Sequence, residues 1–271
     1  MLPYLEIFGR QIPMYGLTSM IGLVLAGFIL CYRIKKAGYD ENDTILFILT
    51  LAVGMVVGGS ILYAITNIHL LLAINYPGEI MRVLVTMFSG MVFYGGLIGA
   101  CIAGLIFLKI KKLPKNVYMD NCALFAPIFH GFARVGCFFG GCCYGIEWEH
   151  GFSAAHVEQK LTQIGDVPRF PVQLLEAGCN FILALVIYLI LRKGLLKERV
   201  FYLYLLCYSV IRFFDEFLRG DEIRGFVGAL STSQFISIFV FAFAVFMLFI
   251  APRLPKKAKN VTPYVTESEK K

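Results

Sequence analysis

Charge is what this chain has least of. Of its 271 residues only 16% are Asp, Glu, Lys or Arg, 58% are hydrophobic, and the mean hydropathy is +0.73. A soluble domain carries roughly 25% charged residues. With 25 Phe and 14 Tyr there is too little polar surface to coat a globule in water. That shortage excludes a cytosolic enzyme and a disordered chain. The alternation of a transmembrane β-barrel is also missing, which leaves a helical bundle to satisfy the backbone in lipid. The inverted repeats common in transporters are not visible, nor is a basic segment leading to a small-x-small cleavage site. The eight cysteines do not read as a secreted disulfide framework: Cys31, Cys101, Cys122, Cys179 and Cys207 stand singly in apolar runs, where a thiol behaves as a small hydrophobe.

A spanning helix needs about 20 mostly apolar residues. Such stretches predict spans at 14–32, 45–66, 84–108, 118–135, 172–191, 200–218 and 234–251. The fourth is the most polar, with Asp120, Asn121, Pro127, His130 and Arg134. The expected fold is an all-α integral membrane protein, a seven-transmembrane-helix bundle over residues 1–251 with a disordered tail at 252–271. Basic residues cluster after spans one, three, five and seven, as in Arg33-x-Lys35-Lys36 and Lys109-x-Lys111-Lys112. The positive-inside rule then puts the N-terminus outside and the C-terminus in the cytoplasm. This bias accounts for the net charge of +7, so no nucleic-acid partner is expected. The longest segment outside the membrane, 136–171, faces outward.

Ionisable groups inside a membrane are costly and mark candidate functional sites. In the sixth span Tyr208, Arg212, Glu216 and Arg219 fall at i, i+4, i+8 and i+11, one face of a continuous helix. In the fourth, His130, Arg134 and Cys137 share a face in the same way. Two arginines, Arg134 and Arg212, at one membrane depth suit a lipid phosphate, because a planar guanidinium binds phosphate with two parallel hydrogen bonds. The run Gly136-Cys137-Phe138-Phe139-Gly140-Gly141-Cys142-Cys143-Tyr144-Gly145 reads either as a turn aiming N–H groups at an anion or as tight packing at small residues. Its C-x4-C-C spacing fits no standard zinc pattern, and a Cys142–Cys143 disulfide would be strained, so no metal is expected. Tyr15 opens the first span and Tyr94 sits inside the third. Gln173 and Glu176, i and i+3 at the start of the fifth span, either close that helix end or bind a headgroup.

These residues together resemble the phosphatidylglycerol–prolipoprotein diacylglyceryl transferases of bacterial membranes. The resemblance covers most of the chain. It rests on Tyr15-Gly16, Tyr94-Gly95-Gly96-Leu97-Ile98-Gly99, Arg134-x-Gly136 with Gly141 and Gly145, and Arg169-x-Pro171-x-Gln173-Leu174-x-Glu176. It continues through Arg212-x-x-x-Glu216-x-x-Arg219 and Ser233-Gln234. The resemblance implies transfer of the diacylglyceryl group of phosphatidylglycerol to the lipobox cysteine of a prolipoprotein signal peptide, within the bilayer of the bacterial cytoplasmic membrane and without a cofactor. It implies that Arg134 binds the lipid phosphate with Gly136, Cys137, Gly141, Gly145, Gln173, Glu176 and Arg219. It also implies that Arg212, Glu216, Tyr15, Tyr208 and Tyr94 line the reacting centre. The chain departs from the family in having Tyr94 for the usual histidine, Cys137 for asparagine, Cys142 for glutamate and Ile146 for arginine. His130 is then the expected substitute base. The alternatives are a divergent paralogue with another acceptor for the same lipid, and a lipid-handling or transport protein.

Overall fold

The computed structural model describes residues 3–7, 9–68, 80–88, 90, 92–153, 167–220 and 225–251. The expected tail at 252–271 lies outside the described residues. A hairpin of β1 (Tyr4–Ile7) and β2 (Arg10–Pro13), turning at Gly9, leads into α1 (Met14–Lys36). Then come α2 (Glu41–Thr66), α3 (Ile80–Phe88), α4 (Phe93–Ile110) and α5 (Lys115–Phe139). After β3 (Glu147–Phe152) follow α6 (Val172–Arg192), α7 (Val200–Asp215), the short pair β4 (Phe226–Val227) and β5 (Leu230–Ser231), and α8 (Thr232–Val245), which runs on as a π-turn over Phe246–Ile250.

Local chemistry explains where these helices start. Pro13, Pro114 and Pro171 precede α1, α5 and α6, and a residue without an N–H loses nothing there. Asp40 accepts from Asn42 N at 3.0 Å ahead of α2. Ser231 and Gln234 cap α8 reciprocally, Ser231 Oγ accepting from Gln234 N at 3.2 Å and Gln234 Oε1 from Ser231 N at 3.1 Å, a capping box.

Among the described residues, five helices are long and apolar enough to cross a membrane, Met14–Lys36, Glu41–Thr66, Lys115–Phe139, Val172–Arg192 and Thr232–Ile250; α4 and α7 are shorter. Their outer faces leave residues such as Val24, Phe28, Ile110 and Ile182 exposed, the surface a bilayer covers. Inside, Ala26, Ala123, Leu124, Leu183, Ile187 and Val200 form one core among α1, α5, α6 and α7. Leu30, Ile34, Phe47, Leu108 and Tyr118 form a second with α2 and α4. The α2–α4 seam is closed by glycines: a Cβ on Gly54 would stand 2.6 Å from Ala103 Cβ and 2.7 Å from the Gly99 carbonyl.

The structure corrects the expected boundaries in three places. The stretch 84–108 is not one helix; α3 ends at Phe88 and α4 begins at Phe93, so Tyr94 stands at the start of a helix rather than in the middle of one. The helix through Tyr208 and Arg212 ends at Asp215, followed by a 3-10 turn, Glu216–Leu218, and an extended Arg219. Arg219 is therefore not on the helical face with Arg212. Finally, α5 continues through Phe139, so Gly136 and Cys137 are helical rather than part of a loop.

The polar residues of α5 divide between its ends. At its start the Asp120 carboxylate accepts from Glu198, Val200 and Phe201 N–H at 2.6, 3.0 and 3.4 Å, which caps α7 from a neighbouring helix. Asn121 Oδ1 accepts from Arg33 Nε at 2.6 Å. That end carries the Lys and Arg residues at the ends of α1, α4 and α6; His130, Arg134 and Cys137 lie toward the other.

Candidate active site

At the other end, Glu176 of α6 is the residue on which the charged groups converge. It is 1% exposed. Its Oε2 lies 2.8 Å from Arg134 Nε of α5 and 4.0 Å from Arg212 Nη1 of α7. Its Oε1 lies 3.5 Å from His130 Nε2 and accepts from the Tyr208 hydroxyl at 3.3 Å. One carboxylate on α6 thus gathers side chains from α5 and α7. The Tyr208 ring stacks on Tyr204 and packs against His130, centroids 5.8 and 5.2 Å apart, which fixes where its hydroxyl points.

Arg212 is held from further directions. Its Nη2 lies 3.0 Å from Glu216 Oε2 and donates to Ser233 Oγ at 3.0 Å. Ser233 in turn accepts from the Tyr94 hydroxyl at 3.2 Å. Tyr94 therefore reaches Arg212 through Ser233, joining α4 and α8 to the site. Arg212 Nη1 is buried and makes no hydrogen bond among the described residues, so it can donate to an anion that enters beside Glu176. A guanidinium in a water-poor setting, already ion-paired on one side, is preorganised for a second anion.

Part of the glycine-rich run closes a helix end. The N–H groups of Gly140, Gly141 and Cys142 donate to the carbonyls of Gly136, Phe138 and Cys137 at 2.9, 3.3 and 3.1 Å, closing the end of α5. Those amides are used within the chain, and Gly141 (φ 65°) makes the turn. Gly136 lets α5 pack on α1, where an added Cβ would stand 3.1 Å from Tyr15 Cα; Tyr15 itself is half exposed. Gly145 lies between two strand-like segments, its N–H donating to the Phe170 carbonyl at 3.2 Å and its backbone bridging Arg219. Gln173, also 1% exposed, donates from Nε2 to the Cys142 carbonyl at 2.8 Å and anchors the turn to α6.

The site therefore unites Arg134, His130, Glu176, Tyr208, Arg212, Glu216 and, through Ser233, Tyr94. Gly136, Gly141, Gly145 and Gln173 shape the backbone around it, and Tyr15 of α1 lies against Gly136 within electrostatic reach of Arg134. The role of Glu176 as the common counter-charge was missed in the sequence, although an acid inside an apolar span was itself the signal.

A family model described as prolipoprotein diacylglyceryl transferase matches residues 3–250. The chain is 34% identical over 242 residues to a protein of Clostridium tetani named phosphatidylglycerol–prolipoprotein diacylglyceryl transferase, covering 89% of this chain and 94% of that one. It is 34% identical over 238 residues to a Clostridium perfringens protein of the same name numbered 2, covering 87% and 89%. A Geobacter sulfurreducens protein of that name is 30% identical over 251 residues, 88% and 90% of the two chains.

Proposed function

The chain belongs to the prolipoprotein diacylglyceryl transferase family, and from that premise we propose how its buried charges perform the reaction. The enzyme transfers the diacylglyceryl group of phosphatidylglycerol to a prolipoprotein. In our reading the acceptor is the thiol of the lipobox cysteine. Its sulfur attacks the glyceryl carbon bonded to the phosphate oxygen, the C–S bond forms as that C–O bond breaks, and glycerol phosphate leaves with the bonding electron pair.

That displacement makes two physical demands. The leaving phosphate gains a negative charge, and the thiol must give up a proton. Arg134 and Arg212 meet the first, neutralising the phosphate as its charge grows; fixed charge in a water-poor site is usually the largest catalytic contribution. Glu176 keeps the two guanidiniums at one depth, and Glu216, Ser233 and Tyr94 hold Arg212 against rotation. His130 meets the second as the base, its ring aligned by Glu176 and Tyr208. The observation that carries this reading is the approach of both arginines to Glu176 Oε2, at 2.8 and 4.0 Å.

The same reading assigns seven spans: α1, α2, α3 with α4, α5, α6, α7 with its 3-10 extension, and α8 with its π-turn. Because the basic clusters lie at the end opposite the site, the site opens toward the outer face of the bacterial cytoplasmic membrane, with the N-terminus outside and the C-terminus inside. The test is a mass-spectrometric assay of a lipobox peptide incubated with phosphatidylglycerol vesicles and the purified enzyme. A diacylglyceryl thioether on the cysteine is expected, and neither R134A nor R212A should form it. Full product from either variant would overturn the assignment.

A further inference from the structure

The sulfur atoms of Cys137, Cys142 and Cys143 all lie within 4.8 Å of one another. Cys137 stands on the last turn of α5, and the other two stand in the turn that follows. Cys143 adopts the left-handed conformation, φ 56°, which non-glycine residues rarely adopt. Cys137 is buried and its two partners are half-buried. Regular zinc spacing is absent because two of the three are adjacent in sequence, yet the helix end folds them into one cluster.

We propose that Cys137, Cys142 and Cys143 form a three-thiolate binding site for a soft d10 metal cation of the Cu+ or Cd2+ class. For a metal–sulfur bond of about 2.3 Å, planar three-coordination sets the sulfurs about 4.0 Å apart; the observed cluster needs only small side-chain shifts to reach that. Each thiol gives its proton to solvent as its sulfur–metal bond forms. Soft thiolate ligands select such cations over harder ions that favour carboxylate or carbonyl oxygen.

The surroundings suit the charge. Three thiolates around a mono- or divalent cation leave a net negative complex, and the positive charges of Arg134 and Arg219 both act on Cys143. A bound ion ties the turn at 140–143 to α5, and with it the Cys142 carbonyl that Gln173 grips.

The test uses the full-length enzyme in detergent, reduced with a phosphine and stripped of metal. Titration with Cd2+ is expected to give ultraviolet sulfur-to-metal charge-transfer absorption that saturates at one equivalent per chain. Cu+ delivered from a chromogenic chelator should compete for the same equivalent. C137S, C142S and C143S should each weaken binding at least tenfold, the triple variant should abolish it, and C122S should leave it unchanged. X-ray absorption of the Cu+-loaded wild-type protein is expected to show three sulfur neighbours, a readout independent of how the variants fold. Absorption retained in the triple variant, a first shell of nitrogen or oxygen, or wild-type protein that binds no equivalent would each overturn the site.

Discussion

Glu176 Oε2 and Arg134 Nε form an ion pair at 2.8 Å inside the helix bundle, joining α6 to α5. Arg212 approaches the same oxygen from α7. Removing one member of a buried pair leaves the other charge uncompensated, at a cost of about 3–5 kcal/mol. Glu176→Gln keeps the side-chain shape and removes the charge shared by two arginines. We expect a marked fall in thermal unfolding midpoint together with loss of transfer. A variant melting with the wild type would show that the arginines find their counter-charge elsewhere.

Arg134→Lys separates charge from geometry. Lysine keeps the positive charge and loses the planar fork, so phosphate binding should persist more weakly while stabilisation of the departing phosphate fails. Losing one preorganised donor of this kind costs about 10²–10³-fold in turnover. Single-turnover kinetics on a lipobox peptide should find the loss in the chemical step; a loss confined to lipid affinity would contradict it.

His130 as base predicts a pH signature. A histidine must be neutral to accept the thiol proton, so transfer should fall as acid protonates it. His130→Ala should lower the rate and flatten the acid side of the pH–rate profile. A full rate, or an unaltered acid limb, would move the base to another group.

Much of the bundle was legible because apolar runs of spanning length leave little freedom in lipid, and α1, α2 and α6 begin and end close to where hydropathy places them. The break between α3 and α4 was not, since the sequence there stays apolar enough to extend a hydropathy window, although Gly90 and Val92 are not helical. The stripe through Arg219 failed for a related reason: i, i+4 spacing has meaning only while the helix lasts, and α7 stops at Asp215. Asp120 read as one more costly polar group within a span. Its purpose, capping a helix that begins some 80 residues later in the chain, exists only in the folded molecule.

That capping role makes Asp120 a stability residue. Its carboxylate receives Glu198, Val200 and Phe201 N–H groups at a helix start whose dipole favours negative charge. Asp120→Ala leaves those donors unsatisfied, and the cost expected is about 1–3 kcal/mol. The thermal midpoint should fall while turnover well below it stays near the wild-type value. A selective loss of turnover would tie this end of the bundle to the chemistry.

Gly145 tests whether backbone packing around the site matters as much as its charges. Its N–H donates to the Phe170 carbonyl, and the next N–H, of Ile146, donates to the Leu218 carbonyl at 3.0 Å. A Cβ at Gly145 would stand 2.5 Å from the first of those oxygens and 2.8 Å from the second. Both obstacles are main-chain atoms, so no rotamer change relieves the clash and the segments must separate. Leu218 directly precedes Arg219, whose backbone bridges Gly145, so separation shifts Arg219 and the turn leading back to Glu216. Gly145→Ala should therefore reduce transfer and speed hydrogen exchange at Ile146. Gly178→Ala is the matched control, since nothing lies within 4 Å of a Cβ there and alanine is the better helix former by about 1 kcal/mol. Equal activity and equal exchange in the two variants would show that the ladder around Gly145 has no hold on the site.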